Sequence, residues 1–339
     1  MGRWVRERER EIVALAVVGA AAAVLVVGSA SDDRRSQPTA AGTLSTRPSP
    51  PDPAAGTSVT GPGPPDVDYV IDLNTGEMTT LPAAIIESSG LQTALPSAPR
   101  YAVSPDGRLL AYVTNADDGS LQIFIAGMDG TRVTQMTHDP TGAESPAWSP
   151  DGTSIAYVGY GSGDVGNLFV LDVATGASRQ ISDKADDLTR ASPQFTPDGS
   201  SLLYTGGNQS RPELRTVPVA GGKSTLLIGA RGGLVDSGNG SLSPDGSHVT
   251  YLASGFPAGK SFHCGPCRFV ANADGTDRRV IPGCIVNPAG AWSPDGDRIV
   301  CSEENGIIIV DLATRRAAHV ARGREAIWLD RHTLLVEAA

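Results

Sequence analysis

Five times in this chain a Pro-Asp-Gly turn is bracketed by apolar strand residues, and no other feature constrains the fold as tightly. The copies are Ser104-Pro105-Asp106-Gly107, Ser149-Pro150-Asp151-Gly152, Thr196-Pro197-Asp198-Gly199, Ser243-Pro244-Asp245-Gly246 and Ser293-Pro294-Asp295-Gly296. Proline presets φ at about −65° for the first corner, aspartate suits the second, and glycine accepts the positive φ that follows. Such a turn joins two strands as a bulged hairpin. Val103, Trp148, Phe195, Leu242 and Trp292 precede the turns. On the exit side stand Leu110 and Tyr112, Ile155 and Tyr157, Leu202 and Tyr204, Val249 and Tyr251, and Ile299 and Cys301. Residues two apart share one face of a strand, and Ala111 and Ala156 make the other face apolar too, so these strands are expected to be covered on both sides.

A second hairpin series alternates with the first. It turns at Asn74-Thr75-Gly76, Asp129-Gly130, Thr175-Gly176, Gly221-Gly222, Asp274-Gly275 and Thr314-Arg315. A worn sixth copy of the first kind, Trp328-Leu329-Asp330-Arg331-His332 followed by Leu334 to Val336, completes the count. The period is about 45 to 50 residues, the length of a four-stranded propeller blade. The series opens on a second-type hairpin and ends on a first-type one. Pairing the strands around Trp328 to Val336 with the hairpin Val67 to Leu81 therefore builds one blade from both chain ends. The prediction is an all-β, six-bladed propeller of four-stranded blades over residues 66–339, closed so that it has no open edge.

Before the propeller the composition changes twice. Residues 12–30 carry no charge, close to the length a helix needs to cross a ~30 Å hydrocarbon core. Arg3, Arg6, Arg8 and Arg10 precede this run, so residues 1–11 are assigned to a cytoplasmic tail and the remainder to the extracytoplasmic side, by the positive-inside rule. The competing reading is a signal peptide cleaved after Gly28-Ser29-Ala30, which would release a secreted protein. Residues 31–65, rich in Pro, Ser and Thr, read as a disordered stalk. The net charge of −10 argues against a nucleic-acid partner.

The repeated Ala147-Trp148-Ser149-Pro150-Asp151-Gly152 and Ala291-Trp292-Ser293-Pro294-Asp295-Gly296 resemble the WD40-like repeats of TolB-type β-propellers, a likeness that runs from about Asp66 to the carboxy terminus. The resemblance implies an exported six-bladed scaffold for protein partners. In place of the separate amino-terminal α/β domain of TolB this chain has the apolar segment and stalk.

The candidate chemistry is sparse. His263-Cys264-Gly265-Pro266-Cys267 carries the letters of a dithiol oxidoreductase but lacks the helix that would lower the thiol pKa. Zinc ligation by the four cysteines is a further alternative, yet in an exported chain two disulfides are the expectation. Three connectivities are possible: the Gly-Pro turn favours Cys264 with Cys267 and Cys284 with Cys301, and strand geometry offers Cys264 with Cys284 and Cys267 with Cys301 as the competitor. Gly161 to Gly166 spells a dinucleotide fingerprint, but a strand, not a helix, is predicted after it. There is no nucleophile elbow, zincin helix or phosphate loop, so no catalytic residue, metal ligand set or cofactor is assigned. Function is therefore sought in the loops linking one blade to the next. They carry Asp183, Lys184, Asp186, Asp187 and Arg190, then Arg231 and Asp236, then Arg322 and Arg324. The leading expectation is a membrane-tethered propeller that binds an envelope or extracellular protein or peptide. Two alternatives are an enzyme acting on a saccharide or small ester in the central channel, which clustering of His138, Glu144, Asp186 or Asp236 within hydrogen-bond reach would favour, and a purely structural envelope component.

Overall fold

A computed structural model describes residues 67–82, 101–160, 166–182, 192–208, 211–228, 234–255, 264–281, 284, 291–303 and 306–338. The amino-terminal apolar segment and the stalk lie outside them, and no helix among the described residues is long and apolar enough to cross a membrane. In chain order the strands are β1 (Tyr69–Asp72), β2 (Met78–Thr80), β3 (Tyr101–Val103), β4 (Leu109–Asn115), β5 (Leu121–Gly127), β6 (Thr134–Gln135), β7 (Ala143–Trp148) and β8 (Ser154–Tyr160). Next come β9 (Gly166–Asp172), β10 (Ser178–Gln180), β11 (Gln194–Phe195), β12 (Ser201–Asn208), β13 (Arg211–Pro218), β14 (Thr225–Ile228), β15 (Leu234–Leu242) and β16 (His248–Gly255). The last are β17 (Cys264–Asn272), β18 (Arg279–Val280), β19 (Ala291–Trp292), β20 (Arg298–Glu303), β21 (Gly306–Asp311), β22 (Ala317–Ala321), β23 (Glu325–Trp328) and β24 (Thr333–Glu337).

These strands form six four-stranded sheets. Blades 1 to 5 are β3 to β6, β7 to β10, β11 to β14, β15 to β18 and β19 to β22, each a meander of consecutive antiparallel strands. Blade 6 has the order β2-β1-β24-β23 and is assembled from both chain ends, as the hairpin series requires. Tyr69 pairs with Val336 and Asp72 with Thr333. The first strands of neighbouring blades touch, β3 with β7, β7 with β11, β15 with β19 and β19 with β23, so they surround the axis.

The hydrophobic core is divided into six clusters, one at each junction between blades. Ile123 and Ile125 of blade 1 meet Ile155 and Tyr157 of blade 2, and Leu214 of blade 3 meets Leu242 and Val249 of blade 4. The second strand of each blade has both faces covered. Leu110, Ala111 and Tyr112 are fully buried. Burying one such large apolar side chain is worth about 1.5–3 kcal/mol, so stability is spread around the ring instead of concentrated at one centre.

The repeated turn is built as its residues dictate. Gly152 has φ 70°, Ser149 Oγ donates to Asp151 Oδ1 at 2.6 Å, and the Thr153 amide donates to the same carboxylate oxygen at 3.0 Å. The Ser154 amide in turn donates to Ser149 Oγ at 2.9 Å. These turns also touch one another. A methyl added at Gly152 would lie 3.7 Å from Pro105 Cδ of the preceding blade, and one at Gly199 would lie 3.8 Å from Pro150 Cδ. The proline of one copy thus sits beside the glycine of the next, around the axis. In the worn sixth copy Arg331 replaces this contact by donating to Asp295 Oδ2 at 3.1 Å.

Candidate functional site

Antiparallel order divides the propeller into two rims. The first-to-second and third-to-fourth strand turns lie on one, and the second-to-third hairpins and blade-linking loops on the other. Of the residues expected on this loop rim, Asp183, Lys184, Asp186, Asp187, Arg190 and Arg231 lie outside the described residues. Arg322 and Arg324 are described, and both side chains are exposed. Their backbones are fixed: Tyr69 Oη donates to the Arg322 carbonyl at 2.5 Å, and the Arg324 amide donates to the Glu337 carbonyl at 2.9 Å. Gly323 between them has no room for a side chain, since a Cβ would fall 2.5 Å from Glu337 O. Two solvated guanidinium groups therefore flank a rigid bend at the seam of blade 6.

Asp236 corrects the sequence reading. It was expected in a loop but belongs to β15, the innermost strand of blade 4, paired with Ala253. The apolar run Leu234-Val235 starts the strand before the irregular Ser237 to Gly240 stretch, which interrupts the alternation used to place strands. Register shifts follow Asp236 and Gly238, and Asn239 takes a left-handed φ of 52°. Blade 2 shows the same device. Its innermost strand β7 shifts register after Glu144, with Ser145 at φ 56°. Ser145 and Asn239 each stand three residues before the residue preceding the turn, Trp148 and Leu242 respectively. Such bulges re-aim side chains near an axis.

Glu144 is aimed by one of these bulges. Its carboxyl is half-buried, with Tyr160 Oη donating to Oε2 at a long 3.5 Å. Burial pushes its pKa above the ordinary carboxylate range, the Tyr160 hydrogen bond opposing only in part. Burial, followed by the charge of Glu144, pushes the Tyr160 phenol up to about 12. His138 is exposed, and no hydrogen bond joins it to Glu144 among the described residues. Of the four groups named for an enzymatic reading, Asp186 lies outside the described residues, and only His138 and Glu144 have described side chains. No group of three or more His, Cys, Asp or Glu side chains poised for a metal occurs among the described residues.

Sequence reasoning missed Arg268. It is fully buried, with Nη1 donating to the Asn239 carbonyl at 3.3 Å, and burial lowers its pKa to about 10. In the register of the third strand it occupies the place held elsewhere by Ile123, Leu168, Leu214 and Ile307, all at 0% exposure. Aligning the third strands as well as the turns would have exposed it.

Of the two disulfide pairings left open, Cys284 with Cys301 is the one formed, at a Cα separation of 5.7 Å, which excludes Cys267 with Cys301. Cys267 is disulfide-bonded as well. The Arg268 amide donates to the Cys284 carbonyl at 3.3 Å, and Cys284 joins the apolar cluster between blades 4 and 5 beside Cys301. The Cys264 to Cys267 stretch opens strand β17, so it has no helix amino terminus to activate a thiol.

Residues 64–255 match the family model of the TolB beta propeller domain. Among curated proteins, the uncharacterized peptidase YuxL of Bacillus subtilis is 26% identical over 159 residues, 46% of this chain and 21% of that protein. A protein TolB homolog of Chlorobaculum tepidum is 37% identical over 76 residues, 22% of this chain and 17% of that protein. The matches thus span about a fifth of the length of those relatives. Among solved structures, TolB from Acinetobacter baumannii superposes with a TM-score of 0.55 at 16% identity, covering 80% of this chain and 63% of that one. A chain of a nidogen/laminin complex gives 0.51 at 16% identity, covering 75% and 92%. At such identities these structures show the fold alone.

Proposed function

The chain belongs to the TolB beta propeller domain family, and from that premise we propose that it is an extracytoplasmic propeller binding a protein or peptide partner of the cell envelope. Residues 12–30 anchor it in the membrane, residues 31–65 hold the propeller away from the surface, and the loop rim makes the contact. The observation that carries this reading is the seam at blade 6, where Arg322 and Arg324 are exposed on a bend whose backbone is held by the Tyr69 hydroxyl and the Glu337 carbonyl. Guanidinium groups on a fixed backbone lose little freedom on binding and recognise carboxylates with two parallel hydrogen bonds. The disulfides support an oxidising compartment.

Affinity capture with the full chain, solubilised in detergent from membranes of its own source, tests the reading. An envelope protein should be enriched reproducibly, and Arg322→Glu with Arg324→Glu should weaken its capture at least about tenfold, the loss expected for two charge-assisted contacts. Unchanged capture by the double variant would remove the blade 6 seam from the interface, and enrichment of cytosolic proteins alone would defeat the envelope assignment.

A further inference from the structure

The repeats allow the six blade junctions to be compared at equivalent positions on the turn rim. Five residues past the Ser or Thr of each turn stand Leu109, Ser154, Ser201, His248 and Arg298. At junction 1/2, Leu109 and Trp148 pack into the same apolar cluster. At junction 5/6, the Arg298 guanidinium lies 4.8 Å over the Trp328 ring and donates to the Arg331 carbonyl at 2.6 Å. Junction 2/3 is bridged from the outer strand, where Arg179 donates to the Val219 carbonyl at 2.8 Å.

Junction 4/5 is different. His248 is shorter than arginine, and its ring stands 6.4 Å from that of Trp292 at a tilt of 46°, with Nδ1 held by Ser247 Oγ at 2.6 Å. Arg279 occupies the same register as Arg179 but turns to Asp277 at 3.3 Å. A cleft of about 290 Å³ remains, walled by Trp292, Val280 and Leu312, with His248, Arg279 and Arg315 among its polar groups. That volume lies at the lower end of the range for ligand sites.

Arg315 adds a second, independent observation. It holds φ 58° at a turn position where Gly76 has 73° and Gly176 has 71°, and its amide bonds back to Asp311 just as theirs do to Asp72 and Asp172. A left-handed arginine is strained where the repeat elsewhere uses glycine, and strain kept at a cleft mouth points to a role there. Its guanidinium makes no ion pair among the described residues. The Asp311 carboxylate is already taken by the Thr314 amide and hydroxyl, both at 2.7 Å. The Asp277 pair is solvent-exposed and easily exchanged for a ligand carboxylate. Asp297 is the remaining acid of the lining.

We propose that this cleft binds a short acidic peptide segment, an apolar side chain entering against Trp292 and Leu312 and the adjoining carboxylate meeting Arg315 and Arg279. The site lies on the turn rim, opposite the loop rim, and stands independently of the function proposed above.

The test is fluorescence polarisation of the full chain in detergent with labelled hexapeptides containing a Leu-Asp pair, alongside versions with Asn or Lys in place of Asp. The Asp peptide should bind about tenfold more tightly than the Asn version and tighter still than the Lys version. Two variants that preserve the fold should each lower that affinity about tenfold or more. Arg315→Gly restores the residue used by the sibling turns, and His248→Arg fills the cleft as Arg298 does at the next junction. Asp297→Asn should raise it. Absence of binding up to millimolar peptide, preference for Lys, or binding indifferent to both variants would overturn the proposal. So would self-association of the chain that the same variants abolish, which would make a second copy the occupant.

Discussion

At the scale of single residues, the electrostatics separate into turn aspartates and one perturbed acid. The Ser243 hydroxyl, followed by the Ser247 amide, holds Asp245 down to about 2, and the Thr196 hydroxyl, followed by the Ser200 amide, does the same for Asp198. A carboxyl depressed in the folded state contributes stability that is complete above its unfolded value near about 4 and is lost as pH falls through the folded value. Acid unfolding followed by circular dichroism should therefore fall mainly between about pH 4 and pH 2, and Ser243→Ala should move its midpoint upward. Glu144 has the opposite sign. Its folded pKa is raised, so its ionisation costs stability as pH climbs through that value. Glu144→Gln keeps an acceptor for Tyr160, so melting at pH 7 should occur at a higher temperature than in the unaltered chain, with the difference shrinking towards pH 4. None of this was legible at Glu144 itself, because its burial depends on a bulge that no local letter announces. Arg268 was hidden for a related reason, being a charged residue at a place that the fold reserves for aliphatics.

At the scale of elements, the turns carried nearly all the legible information. Proline, aspartate and glycine act locally, so their spacing alone located the strands and even the split blade. The loops that vary between blades obey no such local rule, which is why Asp236 was placed outside its strand and why the contents of junction 4/5 went unread. The glycines can be ranked by what surrounds them. At Gly107 a side chain would meet nothing within 4 Å, so Gly107→Ala should cost only the left-handed backbone penalty of about 1–2 kcal/mol. Gly306, at φ 134°, would drive a Cβ into the Ala321 carbonyl oxygen. Chemical denaturation should find Gly306→Ala the more damaging of the two, because backbone atoms of β22 would have to move.

At the scale of the whole molecule, the ring is held by junctions, and the Cys284–Cys301 disulfide reinforces one of them across a sequence separation of 17. Replacing both cysteines by alanine should cost about 3 kcal/mol, measured by denaturant titration against the oxidised parent. The blade shared by the chain ends sets a stricter condition. Asp68 accepts the Ala338 amide across a sequence separation of 270. At a ribosomal rate of about 5–20 residues per second, β1 and β2 must wait on the order of 15–50 seconds for the strands that complete their sheet. During that interval β1 presents an unpaired edge where β24 will add, the kind of surface that chaperones shield and proteases find. A propeller cut before β24 would leave β1 without its partner strand, so closure of the ring depends on both of its terminal segments at once.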